Sequence, residues 1–259
     1  MLPQADARLR RTYFRWRLAL CRRPIRAHRG GIVLELAAPD DEQMLQYFLC
    51  GASWCRSDTR VFRDLLGPGD VAIDIGANVG FVTTIVARLV GPEGHVVAIE
   101  PCRGTFAQLL RTLELNAPLP VTSLNLACGA DAGTAEIYAI SASSGLNTMR
   151  PSLASTVAKA ETVAVEPLDS IVERLALQKL TLLKVDVEGY EEEVLAGARR
   201  TLRTFRPAVY FEVSDTYRDH SRRACALLRS LGYTVNLPEE ELAALRGVRN
   251  VLACPTPVS

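Results

Sequence analysis

Residues 71–82 read VAIDIGANVGFV, and this stretch decides the fold. Val71 to Ile75 form a short apolar run with β-branched residues, which is typical of a buried strand. From about Val79 the apolar residues recur at helical spacing, and the bend between the two patterns carries Gly76 and Gly80. A strand that turns through glycines into a helix is typical of an open parallel α/β sheet, whose ligand crevice lies at such a turn.

Strands and helices continue to alternate toward the carboxyl terminus. A helix is predicted from Gly189 to about Arg203, because acids fill its first turn and arginines its last, an order that the helix dipole favours. Further strands are predicted at residues 95–99, 121–126, 182–187, 208–213, 233–237 and 248–253. We therefore expect a doubly wound α/β fold of about seven mostly parallel strands with helices on both faces.

The segment from residue 127 to residue 167 departs from this alternation. Two β-like runs, at 135–140 and 161–165, enclose a stretch at 141–147 that is rich in serine, glycine and asparagine. Long irregular insertions in compact domains are usually functional or mobile. We expect a substrate-covering loop there, with a surface hairpin as the alternative.

Length and composition fit one large domain with an N-terminal extension. The chain has 259 residues, of which 48% are hydrophobic and 23% charged, as expected for a soluble globular protein. We divide it into a basic extension (1–30), a lead-in that packs on the main domain (31–67) and the main α/β domain (68–259). Its seven cysteines include no CxxC pair, so we expect reduced thiols in a cytoplasmic protein.

The extension is strongly basic, with nine arginines among residues 1–30. Apolar residues recur at helical spacing within residues 8–23, which predicts a short amphipathic helix. This helix could contact an anionic membrane surface or an acidic partner, or it could pack on the main domain or on a second subunit. The rest of the chain has more acidic than basic residues, so we expect no nucleic-acid partner.

The bend at residues 76–80 and two nearby acids predict a nucleotide cofactor site. Asp74 precedes the bend, and Glu100 follows the next predicted strand. A dinucleotide site requires glycines where this chain has Asn78 and Phe81, which disfavours NAD. S-adenosylmethionine instead carries a cationic methionine end, which Asp74 would attract, and a ribose whose hydroxyls Glu100 could bind.

Several motifs, in order along roughly residues 54–215, resemble those of the FkbM family of methyltransferases. They are VAIDIGANVGFVTT, VVAIEP, NLACGADAGTAEIY, the LD of VEPLDS, LLKVDVEGYEEEVLAGA and RPAVYFEVSD. The resemblance implies a Rossmann-like class I methyltransferase fold, S-adenosylmethionine as methyl donor, and usually O-methylation of sugars, polyketides or other secondary metabolites. It matches Asp186, Glu188 and Gly189 to the family's D-x-E-G motif. The cofactor-binding residues that we predict are Asp74, Gly76, Ala77, Asn78, Gly80, Glu100 and Asp186.

Methylation of a hydroxyl would need a base, because an aliphatic hydroxyl is a poor nucleophile; a positioned base contributes roughly 10²- to 10⁴-fold. The catalytic candidates are Asp186 and Glu188, at the end of a predicted strand, and Glu212 in an otherwise apolar run. We expect Asp186 to contact the methionine end of the cofactor or a substrate hydroxyl, and Glu188 to bind the acceptor or act as base. No metal is predicted, and a divalent ion held by the three acids is the alternative.

The leading hypothesis is a methyltransferase that acts on a hydroxyl of a small molecule or glycan. Three alternatives remain. They are methylation of protein or RNA, an NAD-linked oxidoreductase, and a membrane-associated scaffold that keeps the fold without the activity. Neither the identity of the acceptor nor the oligomeric state is predicted by the sequence.

Overall fold

The computed structural model of the chain describes residues 25–29, 31–36, 53–140, 149 and 157–257. The basic segment 8–23 and the stretch 141–147 lie outside these ranges, so the membrane contact and the covering loop stay predictions. None of the helices within the described ranges is long and apolar enough to cross a bilayer.

The secondary structure alternates as the sequence pattern predicts. The strands of the described residues are β1 Ile25–Arg29, β2 Ile32–Leu36, β3 Val71–Ile75, β4 His95–Ile99, β5 Val121–Leu124, β6 Ala127–Cys128, β7 Gly133–Ile140, β8 Val157–Glu166, β9 Leu182–Val185, β10 Ala208–Ser214, β11 Tyr233–Val235 and β12 Val248–Pro255. The helices are α1 Ser53–Leu65, α2 Phe81–Val90, α3 Arg103–Leu115, α4 Leu168–Arg174, α5 Glu191–Ala196, α6 Arg199–Phe205, α7 Arg218–Ser230 and α8 Glu239–Ala244.

Among the described residues, the central sheet has seven strands in the order β11-β12-β10-β9-β3-β4-β5. Neighbouring strands run parallel except β12, which is antiparallel to both β10 and β11. The prediction of about seven mostly parallel strands is confirmed. The chain leaves β3 for β4 on one side, while β9 pairs with β3 on the other. The strand order thus reverses beside β3, and an open sheet of this kind binds ligands at the carboxyl ends of the strands there.

Apolar side chains cover both faces of the central sheet. On one face Ile73, Val97 and Phe211 belong to a cluster in which each of them is at most 1% exposed. On the other face Phe62 of α1 lies edge-on against Tyr210, with 5.1 Å between the ring centroids. A fully buried large apolar side chain stabilises a fold by about 1.5–3 kcal/mol. Burial on both faces explains why the parallel strands appear in the sequence as continuous apolar runs.

The helix predicted at about residues 189–203 is wrong as a single helix, because two helices, α5 and α6, occupy this range. The carboxylate of Asp169 accepts hydrogen bonds from the backbone N–H groups of Arg200 (2.9 Å) and Thr201 (2.7 Å), and so caps the start of α6. The backbone N–H of Asp169 donates to the carbonyl of Gly197 (2.9 Å). A contact with a distant residue therefore separates the two helices.

The two β-like runs predicted at 135–140 and 161–165 form strands β7 and β8, which pair antiparallel. Strand β6 joins them by pairing parallel with β8. This small sheet packs Ile137 and Val163 against Cys102, which follows the end of β4. The small sheet therefore lies beside the carboxyl edge of the central sheet.

The hairpin of β1 and β2 spans the domain boundary that we predict at residue 30. The side-chain amide of Asn116 pairs with Val33 as a neighbouring strand would. Its Oδ1 accepts from the backbone N–H of Val33 (3.0 Å), and its Nδ2 donates to the carbonyl of Val33 (2.7 Å). Arg88 of α2 donates to the carbonyl of Gly31 (2.9 Å) and to Oδ1 of Asn116 (3.1 Å). Polar contacts thus hold the hairpin against α2 and the end of α3.

Candidate functional site

The predicted glycine bend lies between β3 and α2, at the point where the strand order reverses. Gly76, Asn78 and Gly80 have positive φ angles of 76°, 50° and 86°. A Cβ atom at Gly76 would lie 1.8 Å from the carbonyl oxygen of Asp186, so a side chain cannot fit there. The backbone N–H groups of Gly76 and Ala77 both donate to the carbonyl of Ile99 at 3.0 Å. The bend is therefore held against the ends of both neighbouring strands.

Glu100 follows β4 and faces the bend. Its Oε2 accepts from the backbone N–H of Asn78 and its Oε1 from that of Cys102, both at 3.0 Å. Burial raises its pKa to about 7, because the charged form loses solvation and the two N–H groups restore only part of it. Each carboxylate oxygen has more than one lone pair, so Glu100 can still accept hydrogen bonds from the hydroxyls of a ligand.

Asp74 is more enclosed than the sequence suggests. Its side chain is 2% exposed and ion-pairs through Oδ1 with Nζ of Lys184 at 3.0 Å. Its Oδ2 accepts from the hydroxyl of Thr83 at 2.6 Å. Lys184 and Thr83 already contact this carboxylate, and its predicted contact with a cationic ligand stays a prediction.

Sequence reasoning missed Lys184. Its Nζ lies 3.0 Å from Oδ1 of Asp74, 3.3 Å from Oδ2 of Asp186 and 3.3 Å from the carbonyl oxygen of Gly76, which accepts a hydrogen bond from it. Burial would lower its pKa, but Asp74 and Asp186 outweigh burial and hold the pKa above the ordinary value. A lysine inside the apolar run of β9 was a usable signal, because such a buried charge requires an acid nearby.

The three predicted catalytic acids come together at the carboxyl ends of β9 and β10. Asp186, Glu188 and Glu212, which we name the acid cluster, each place a carboxylate oxygen within 4.8 Å of the others. Burial and then the charge of Asp186 raise the pKa of Glu188 to about 8 and that of Glu212 to about 10. The cluster therefore retains protons at neutral pH that separate carboxyls would lose.

The turn that carries the cluster is tightly packed. Glu188 has a positive φ of 52° and Gly189 one of 95°. A Cβ at Gly189 would lie 2.4 Å from the ring of Tyr217, a buried residue. Glu191 closes the turn, because its Oε1 accepts from the backbone N–H groups of Val187 (3.1 Å) and Gly189 (3.3 Å). Grouped carboxylates are common without a metal, so no metal is assigned to the cluster.

The described residues also include His220 and Cys128, whose side chains are of types that often react in enzymes. His220 of α7 contacts Glu192 of α5, with 2.7 Å between Nδ1 and Oε2, and Arg223 binds the other oxygen of Glu192 at 2.6 Å. These contacts join α5 to α7. Burial raises the pKa of the Cys128 thiol, which makes it a poor nucleophile.

Comparisons with known proteins match this chain to methyltransferases. Residues 74–235 match the family model of the methyltransferase FkbM domain. Methyltransferase 1 of Beauveria bassiana (strain ARSEF 2860) is 26% identical over 188 residues, which are 66% of this chain and 75% of that protein. A solved structure of a proposed rRNA methylase from Clostridium thermocellum matches with a TM-score of 0.51 at 12% identity, over 79% of this chain and 97% of that one.

Methyltransferase FkbM from Methylobacillus flagellatus KT matches with a TM-score of 0.48 at 17% identity, over 85% of this chain and 56% of that one. The family model spans more than half of the chain and includes the glycine bend, Glu100 and the acid cluster. The chain belongs to the FkbM family of methyltransferases.

Proposed function

We propose that this methyltransferase transfers the methyl group of S-adenosylmethionine to a hydroxyl oxygen of a small molecule or glycan. One observation carries the proposal. The bend with Glu100 and the acid cluster lie at the carboxyl ends of neighbouring strands, and Gly76 and Asp186 make the contact between them. A site for the cofactor and a site for proton transfer are therefore adjacent.

The bend fits S-adenosylmethionine better than a dinucleotide. The amides that a pyrophosphate would need are already used: the N–H of Asn78 donates to Glu100, and that of Val79 donates to Oδ1 of Asn78 at 2.7 Å. Glu100 is held beside the bend by the N–H of Asn78 and can still accept from ribose hydroxyls. A sulfonium nucleoside needs such an acceptor and no pyrophosphate-binding amides.

The acid cluster suits the removal of a proton from the acceptor. Bound S-adenosylmethionine would supply an electrophilic methyl group. Glu188, whose pKa is about 8, exchanges protons near neutral pH and is our candidate for the base that accepts the hydroxyl proton. Glu212, whose pKa is about 10, would stay protonated and donate a hydrogen bond within the cluster. Asp186, with its side chain 36% exposed, could accept a hydrogen bond from the acceptor.

The charge of the site favours hydroxyl acceptors over nucleic acid. Asp186, Glu188, Glu191 and Glu212 surround the turn, and Lys184 is already paired with acids. Carboxyl groups bind hydroxyls well whether or not they carry a proton, whereas a phosphate needs a cation, and Lys184 is already paired. The rRNA methylase that matches this chain shares its fold, and its acceptor does not carry over at 12% identity.

Calorimetric titration tests the cofactor. We expect S-adenosylhomocysteine to bind and NAD to give no heat of binding. Heat from NAD alone would overturn the proposed cofactor.

The acceptor requires a second experiment. The protein is incubated with S-adenosylmethionine that carries an isotope-labelled methyl group and with separate panels of sugars, polyols, amines, peptides and RNA. The chemical shift of the transferred methyl carbon distinguishes oxygen from nitrogen and carbon acceptors. We expect labelled methyl ethers from the hydroxyl panels; label only in RNA or peptide would contradict O-methylation of a small molecule.

A further inference from the structure

Lys184 lies where the two halves of the site meet. Its side chain is 7% exposed, and it contacts Asp74 and the carbonyl of Gly76 on the cofactor side and Asp186 on the acceptor side. The parallel pairing of β3 with β9 places Asp74 directly beside Lys184. If Lys184 only stabilised the sheet through an ion pair, its contact with Asp74 would be sufficient.

The contacts of Asp186 extend this connection. The backbone N–H of Asp186 donates to the carbonyl of Ile75 (3.1 Å), and its own carbonyl lies where a Cβ of Gly76 would be. The bend and the turn after β9 are therefore in direct contact, and Lys184 bonds to both. A shift of its ammonium would move the bend relative to the cluster.

We propose that Lys184 is a positioning residue for methyl transfer, which fixes the cofactor bend against the turn that carries the acid cluster and provides the cluster with a countercharge. The inference rests on the proposed function, because it assigns Lys184 to the same site. The inference adds to this site a residue, Lys184, that binds neither S-adenosylmethionine nor the acceptor directly.

The surrounding charges define what the loss of Lys184 would change. The acids that interact with it are Asp74 from β3, Glu100 after β4, Asp186 and Glu188 after β9 and Glu212 from β10, and Glu191 from α5 acts on Glu188 and Glu212. Burial and neighbouring acids raise the pKa values of Glu188 and Glu212, and Lys184 lowers both. Without Lys184 the two glutamates should therefore lose their protons at higher pH.

The test uses variants that separate charge from folding. Lys184→Met alone would leave Asp74 buried without a cation and could unfold the chain. The double variant Asp74→Asn/Lys184→Met removes both buried charges, and Asp74→Asn is its matched control, because it keeps Lys184 beside Asp186. Lys184→Arg keeps the charge and changes its position.

Two quantities are measured on the full chain. Titration of isotope-labelled glutamate carboxyls by NMR, assigned with Glu188→Gln and Glu212→Gln, gives the pH midpoints. Calorimetry gives the affinity for S-adenosylhomocysteine. In the double variant we expect midpoints at least about one pH unit above those of Asp74→Asn, and an affinity roughly tenfold or more below it. In Lys184→Arg we expect weaker affinity with nearly unchanged midpoints.

The outcomes separate this inference from the proposed function. Unchanged midpoints and unchanged affinity in the folded double variant would overturn the role of Lys184. If the double variant does not fold, the affinity of Lys184→Arg decides: an unchanged value contradicts the positioning role. If the wild-type chain does not bind S-adenosylhomocysteine, the proposed function fails, and the midpoints still test the countercharge.

Discussion

The two sides of the site use carboxyl groups in opposite ways. On the cofactor side, Glu100 accepts two backbone N–H groups and Asp74 pairs with Lys184 and Thr83. On the acceptor side, the carboxyls of the acid cluster face one another within 4.8 Å, and two of them have raised pKa values. In the first arrangement protein donors fix each carboxyl in place, whereas in the second the carboxyls contact one another and two of them keep protons above neutral pH.

This difference separates binding from chemistry. Preorganised acceptors bind a ligand without rearranging, which keeps the cost of binding low. Groups that repel one another titrate over a wide pH range, which suits a proton acceptor at neutral pH. The following variants test whether the two sides are independent in this way.

The largest effect is expected at the contact between the two sides. Gly76→Ala should lower the free energy of unfolding by roughly 2–5 kcal/mol and abolish binding of S-adenosylhomocysteine, because the new Cβ would overlap the carbonyl of Asp186 at 1.8 Å in a left-handed backbone. Chemical denaturation and calorimetry measure the two changes.

Gly69→Ala is the matched control for this variant. Gly69 has a similar φ of 80°, and a Cβ there would have nothing within 4 Å. We expect a loss of about 1–2 kcal/mol from the left-handed conformation alone, with unchanged ligand affinity. Equal effects of the two substitutions would show that the contact with Asp186 has no special role.

A smaller effect, confined to the cofactor side, is expected for Glu100→Gln. The amide keeps one acceptor and turns an NH₂ group toward a backbone N–H, so affinity for S-adenosylhomocysteine should fall roughly 10- to 100-fold. Because the pKa of Glu100 is about 7, wild-type affinity should also fall as the pH drops below 7, and the variant should lose this dependence. Glu240→Gln, at an exposed position of α8, is the control for charge. Equal affinity of both variants at all pH values would refute the role of Glu100.

The last effect is a change in how stability depends on pH. Glu212 has a pKa of about 10 in the folded chain against an ordinary 4.5, so the folded state binds more protons and loses stability as the pH rises between these values. Glu212→Gln removes this loss. We expect the variant to gain stability relative to wild type between about pH 5 and about pH 9, measured by chemical denaturation. If Glu212→Gln instead lost stability relative to wild type as the pH rises, the buried protonated state of Glu212 would be contradicted.

Local sequence patterns predict the β3-bend-α2 unit because its apolar spacing and glycines are contiguous. The same holds for Glu100, which directly follows a strand of the same pattern. The single helix at about 189–203 fails for the opposite reason. Its interruption depends on Asp169, which is about 30 residues away along the chain and reaches α6 only in the folded structure.

The residues of the site also divide into features that local sequence predicts and features that depend on contacts in the folded chain. Asp186, Glu188 and Glu212 are predictable individually as acids at the ends of strands. Their mutual distance depends on the register of β9 with β10, which the sequence does not reveal. Lys184 is the clearest case, because only the pairing of β3 with β9 identifies Asp74 as its partner.

The amide of Asn116 has a practical consequence for work on this protein. It replaces a missing strand neighbour of Val33, so the edge of the hairpin and the end of α3 depend on each other. A shortened protein that began after Leu36 would remove the contacts of this amide with Val33 and of the guanidinium of Arg88 with Gly31. Crystallisation and screening should therefore use expression boundaries upstream of Ile25.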